Sequence, residues 1–123
     1  MALVRSKDTR PELAVRRLVH GMGYRYRLHR RDIPGVPDLA FIGARKVIFV
    51  HGCFWHRHAR CPNTRMPKSN TVFWETKLAA NRKRDQVNRR RLASLGWQAL
   101  VVWECELSDL DKVGRLVATF LSR

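Results

Sequence analysis

Residues 51–61, HGCFWHRHARC, hold three histidines, two cysteines and two large aromatics in eleven positions. Cys53, His58 and Cys61 fall in one stretch, and Cys105 follows the last strand-like segment. Three thiolates and one imidazole make a closed tetrahedral set, the usual form of structural Zn2+. The spacing C-x4-H-x2-C with a distant fourth cysteine is not that of a standard finger. A polar, proline-containing loop of about twenty residues has little core of its own and needs a clamp. The bland alternative is that buried cysteines act as small apolar groups, and it is strongest for Cys105. A closed site leaves zinc no open position, so it would hold the loop and do no chemistry. Taking His56 and His58 as ligands of a hydrolytic zinc instead leaves the three cysteines idle and lacks a third ligand at useful spacing. His51 and His56 then remain, with Asp38 across the expected hairpin. Each alone is an ordinary structural residue; together they are candidates for acid–base and metal chemistry.

Charge narrows the partner. Lys and Arg number 25 against 10 Asp and Glu, a formal net charge of +15 on 123 residues. A small domain that basic repels itself unless a polyanion neutralises it, and nucleic acid is the usual one. An anionic membrane is the alternative, but no apolar run would span a bilayer and no signal-peptide pattern opens the chain. The expectation is a soluble, cytoplasmic, nucleoid-associated protein with no membrane partner. Three cysteines, an odd count, argue against a disulfide framework.

The elements that must position these groups follow from periodicity. Residues 9–22 read as a helix: Thr9 and Glu12 form a T-x-x-E capping box, Pro11 sits in the first turn, and Val15, Leu18, Val19 and Met22 make the apolar stripe. Residues 24–29 alternate as a half-buried strand, and 33–38 (IPGVPD) make a turn. Residues 39–42 and 46–50 read as two strands joined through Gly43. Thr71 can cap a long helix over 72–95, strongly basic at NRKRDQVNRRR and stopped by Gly96. Residues 97–104 read as a buried strand carrying Trp97 and Trp103 in the core. Ser108 can cap a last helix with Leu110, Val113, Leu116 or Val117, and Phe120 inward. The order αβββαβα implies α/β layers around a small mixed sheet.

That order is also the core of restriction-endonuclease-like nucleases. In those of PD-(D/E)xK type, the first acid binds Mg2+ where Asp38 stands, and the next strand brings a second acid and a Lys. Here Phe49 occupies the acid position and His51 the Lys position. One carboxylate is a weak Mg2+ site alone, but Mg2+ commonly keeps waters and borrows phosphate oxygens. An ordinary turn residue after proline is the plainer reading of Asp38.

The strings RSKDTRPE, GYRYRLHRRDIPGVPDLAF, VIFVHGCFWHRH, FWETKLAANRKRD and GWQALVVWEC resemble the very short patch repair endonucleases over nearly the whole chain. That family nicks DNA beside the thymine of a T·G mismatch, the lesion left by deaminated 5-methylcytosine. The resemblance implies a PD-(D/E)xK-type core with a structural zinc on Cys53, His58, Cys61 and Cys105. It implies Mg2+ on Asp38 and the main-chain carbonyl of Val50, His56 as the imidazole that activates water, His51 as support for the hydrated metal or phosphate, and Glu12 as a hydrogen-bond partner of metal-bound water. Glu12 as helix cap stays open beside that role. Phe54, Trp55 and Trp74 would form a wedge inserted into the duplex, where a wobble pair costs less to unstack. Lys and Arg at 82–91 would contact phosphates or form a solvated face. The partner would be double-stranded DNA with a T·G mismatch, cut by a monomer linked functionally to a cytosine-5 DNA methyltransferase. Residues 1–123 would be one domain with a shortened N-terminal arm. A DNA-binding module of this fold with little catalysis, and a nuclease for other distorted DNA, are the competing functions.

Overall fold

The computed structural model describes residues 9–123. Helix α1, Arg10–Gly21, starts as the sequence requires. Thr9 Oγ1 accepts from the Glu12 N–H at 3.4 Å, and the Thr9 N–H donates to Glu12 Oε2 at 2.8 Å. Strands β1 (Arg27–Leu28), β2 (Leu39–Phe41), β3 (Lys46–His51) and β4 (Gln98–Trp103) form one sheet in the order β1-β2-β3-β4. The first three are antiparallel, and β4 runs parallel to β3 with His51 opposite Trp103. A parallel pair needs a crossover, and helix α2 (Thr71–Ser94) supplies it. Helix α3, Leu110–Ser122, ends the chain's order.

Side-chain alternation along the strands makes two cores. Leu39, Phe41, Ile48 and Val102 meet Val15 and Val19 of α1 and Val113, Val117 and Phe120 of α3. On the opposite face, Ala40 and Val47 meet Ile33 and Leu92 of α2, with Phe49 and Trp97 packed beside them. Helices therefore cover both faces, which suits a strand as apolar as β3. Lys46 begins β3 buried, and its ammonium donates to the main-chain oxygens of Phe120 and Arg123 at 2.8 and 2.9 Å. Those bonds satisfy the charge and pin the last turn of α3, where a cation also suits the helix dipole.

Four local expectations are corrected. The segment 24–29 pairs only at Arg27–Leu28, because His29 turns to a φ of 46° and Tyr24 and Tyr26 pack edge-on against Phe41. Asn70, with left-handed backbone, precedes α2, and Thr71 is its first residue. Residues 104–108 wind into a 3-10 turn, in which the Ser108 hydroxyl donates to the Cys105 carbonyl, so Asp109 caps α3 instead. Trp103 is half-buried and forms a wall between two clusters of candidate site residues, described below. Among the described residues, no helix is long and apolar enough to cross a membrane.

Candidate active site and metal centre

The turn before β2 sets the first acid. Gly35 takes a φ of +82°, and a Cβ there would lie 3.1 Å from the Phe49 ring. Only glycine lets the turn close so tightly over β3. Asp38 emerges at the start of β2, and its Oδ2 accepts the Val50 N–H across the hairpin at 2.6 Å. Glu12 arrives from the first turn of α1. His29, which the sequence reading passed over, completes the group: its Nε2 lies 3.7 Å from Glu12 Oε1 and 3.9 Å from Asp38 Oδ1. Ligand atoms of the three lie within 4.8 Å of one another.

Burial, and then the neighbouring Glu12, push the Asp38 carboxyl up to about 8. Burial acts upward on Glu12 too, but its bonds to Asp38 and the Thr9 N–H, with the charges of His29 and Arg16, hold it below the ordinary value. The pair thus carries about one negative charge at neutral pH, because two close carboxylates resist ionising together. A divalent cation would remove that resistance. Hard oxygen donors beside a cavity open to water fit Mg2+.

The second cluster lies alongside. His56 Nδ1 is 2.6 Å from Asp85 Oδ2 on α2. A carboxylate only accepts, so Nδ1 carries a proton, and in the neutral ring Nε2 is the acceptor. The His51 and His56 rings stack at 3.8 Å with 5° between planes, and Trp103 closes the other side of His51 edge-on at 5.2 Å. Burial, followed by the repulsion of a protonated His56 ring alongside, pushes His51 down to about 3. It is therefore a neutral imidazole at neutral pH and does not reproduce the charge of a lysine. A cavity of about 190 Å³ brings Glu12, Asp38, Val50, His51, His56 and Asp85 together. Asp85 was missed in the sequence. Its one signal is being the sole acid in NRKRDQVNRRR, and only the packing of α2 gives it a partner.

Across Trp103 lies the cysteine cluster. The ligand atoms of Cys53, His58, Cys61 and Cys105 all lie within 4.8 Å of one another. Cys105 Sγ is 3.4 Å from His58 Nδ1, and the His58 ring stacks on Trp103 at 4.1 Å. Burial, with Cys105 and Cys61 alongside, pushes the Cys53 thiol up to about 12. Such a group does not ionise without a cation, and soft sulfur with imidazole nitrogen matches zinc. The Cys53 N–H donates to Glu104 Oε1 at 3.0 Å, which ties the loop to the end of β4.

The same loop and the first turn of α2 together build an aromatic knob. Phe54, Trp55 and Trp74 pack together with ring centroids 5.2–5.7 Å apart, and Phe73, not singled out from the sequence, adds a ring 5.2 Å from Trp74. Phe73 is 56% exposed and Val72 is 74% exposed. The Lys77 ammonium lies over Trp55 at 5.9 Å, and a groove lined by Pro11, Glu12, Trp55 and His56 runs from the knob to the acid and histidine clusters. Arg82, Lys83, Arg84, Arg90 and Arg91 of α2 are exposed nearby in the chain.

The comparisons agree with this architecture. The catalytic domain of the homing endonuclease I-Bth0305I superposes with a TM-score of 0.63 over 92% of this chain and 94% of that one, at 22% identity, which shows a restriction-endonuclease-like fold. The type II nicking enzyme V.XorIIP of Xanthomonas oryzae pv. oryzae is 57% identical over 89% of this chain and 80% of its own length. V.NmeAIP of Neisseria meningitidis is 40% identical over 95% and 86%. The DNA mismatch endonuclease Vsr of Escherichia coli is 39% identical over 92% and 72%. The family model for DNA mismatch endonuclease Vsr matches residues 1–62, which carry the capping box, Asp38, both stacked histidines and three of the four cysteine-cluster residues. The chain belongs to the Vsr DNA mismatch endonuclease family.

Proposed function

We propose that this DNA endonuclease nicks one strand of a duplex beside the thymine of a T·G mismatch, using Mg2+, a histidine base and an aromatic wedge. The observation that carries the reading is one cavity that holds the Asp38–Glu12 acids and the His56–Asp85 pair, opening toward the knob of Phe54, Trp55 and Trp74. Asp38 and the Val50 carbonyl would hold the Mg2+, which supplies charge to the phosphate as a second negative charge develops. His56 Nε2 takes a proton from the attacking water as its oxygen bonds to phosphorus and the bond to the leaving sugar oxygen breaks. Asp85 keeps the Nδ1 proton in place and stabilises the imidazolium that forms. His51 fixes the His56 ring by stacking and supports the bound phosphate as a neutral donor. Glu12 orders water between α1 and Asp38.

Cys53, His58, Cys61 and Cys105 would hold a structural Zn2+ that keeps the knob and His56 on one rigid loop. Stacked aromatics can replace base stacking at a small cost beside a wobble pair. A single catalytic centre makes one cut, so a monomer gives a nick.

End-labelled duplexes bearing T·G, T·A, C·G or another mismatch, incubated with Mg2+ or EDTA, test the reading. A Mg2+-dependent cut beside T in T·G alone, lost in His56→Ala, is expected. Binding of T·G without a cut would make the chain a binding module, and equal cutting of all duplexes would remove the wedge from mismatch selection.

A further inference from the structure

The basic stretch of α2 does not present one uniform face. Asp85, Asn88, Arg89 and Leu92 share a side of the helix at i, i+3, i+4 and i+7, and all four line the catalytic cavity. Arg82, Lys83, Arg84, Arg90 and Arg91 do not line it. Among the described residues no hydrogen bond or ion pair holds the Arg89 guanidinium. Asp85, one turn away and the natural partner, gives its carboxylate to His56 instead. A permanent cation is thus left unpaired at the wall of a cavity whose acids are engaged with a histidine or with each other.

Phosphodiester hydrolysis is accelerated by positive charge aimed at the non-bridging oxygens, beyond what a base and a metal at the attacking water supply. The imidazole of His51, where a nuclease lysine would stand, is buried against Phe49, His56 and Trp103. Among the described residues, Arg89 is the remaining cation lining the cavity. Its planar fork suits two phosphate oxygens, as a lysine would not. We propose that Arg89 is a catalytic residue that grips the non-bridging oxygens of the scissile phosphate, separately from the flank of α2 that meets the DNA backbone. This role rests on the nicking activity proposed above and adds a residue to it.

The test compares the parent, Arg89→Ala, Arg89→Lys and Arg115→Ala, which removes an equal charge from α3, on the T·G duplex under single-turnover conditions with Mg2+. Duplex affinity is measured in parallel with Ca2+ in place of Mg2+. Arg89→Ala is expected to slow cleavage at saturating enzyme roughly 100-fold, with affinity changed by less than about threefold. Added guanidinium ion should restore part of the rate, Arg89→Lys should be intermediate or poor, and Arg115→Ala should match the parent. A rate for Arg89→Ala equal to the parent's would overturn the proposal. So would a loss wholly in affinity, or one that guanidinium does not relieve. A parent that cuts no T·G duplex would instead overturn the underlying activity, a result distinguishable because it precedes any variant.

Discussion

The carboxylate of Glu12 accepts the Thr9 N–H at 2.8 Å and also faces Asp38 and His29, so a helix cap and a proposed active-site acid coincide in one side chain. Glu12→Gln separates them, since glutamine serves a capping box equally well. Its melting temperature should stay near the parent's while nicking falls roughly 10- to 100-fold; unchanged nicking would leave Glu12 as a cap alone. Asp38 makes a second prediction through pH. Its folded value of about 8 lies above the unfolded one, near 4, so the folded chain retains a proton that the unfolded chain has lost. That stabilisation is complete below about pH 4 and disappears as pH rises through about 8. His51, pushed down to about 3, gives the opposite slope: stability is complete above about pH 6.5 and falls as the unfolded chain protonates below it. The two slopes oppose each other between about pH 4 and 6.5, so melting of zinc-loaded, Mg2+-free protein should be highest there, falling from about pH 6.5 to 8 and again below about pH 4. Asp38→Asn should abolish the alkaline decline, and Mg2+ should stabilise the parent more at higher pH; a decline that persists in Asp38→Asn would sink this account. Asp85→Asn should leave the wrong His56 tautomer and slow cleavage by on the order of 10²–10⁴-fold, read in single turnover. The grouping of Cys53, His58, Cys61 and Cys105 was legible because one short motif concentrates the first three, and Asp38, His51 and His56 stood out as candidates chiefly through the family resemblance. Asp85 and His29 were not legible, since each gains meaning from a partner 29 or at least nine residues away that only packing supplies.

Between β3 and α2, residues 52–70 have one short 3-10 turn as regular structure. Among the described residues of this segment Cys53 and Cys61 are the buried ones, so it leans on its cysteine cluster more than on a core. Cys61→Ser, or prolonged chelation, should release one zinc per chain and abolish nicking while far-UV circular dichroism keeps most of its helical signal. That signal comes mainly from α1, α2 and α3, whose cores lie elsewhere. Zinc content by mass spectrometry checks the first half, and a parent free of zinc as purified would end the proposal. The helices themselves were readable from apolar spacing, α1 down to both bonds of its capping box. Their neighbours at the ends were harder. Asn70 precedes α2 through backbone conformation without a side-chain bond, and Ser108 was diverted by a turn that no periodicity announces.

Over the whole molecule, the order αβββαβα and the mixed sheet were legible, because β3 is apolar enough to require cover on both faces and its parallel partner requires a crossover. The +15 charge predicts an interaction with DNA that weakens steeply with salt. Removing Arg82 and Arg90 together should flatten the plot of log affinity against log salt by about 2, without changing the preference for T·G over T·A, since phosphate contacts do not read bases. An unchanged slope would take α2 out of the DNA footprint. The register of β3 with β4 has one more consequence, for the chain during its synthesis. His51 lies opposite Trp103, so the imidazole stack gains its far wall only after about 50 further residues have been joined. A ribosome-bound fragment that already includes Asp38, both histidines and the basic stretch therefore still has an unfinished sheet. Its charge predicts that such a fragment clings to nucleic acid, yet it lacks the frame that would aim the proposed base, so a growing chain is expected to become a cutter only when its last strand docks.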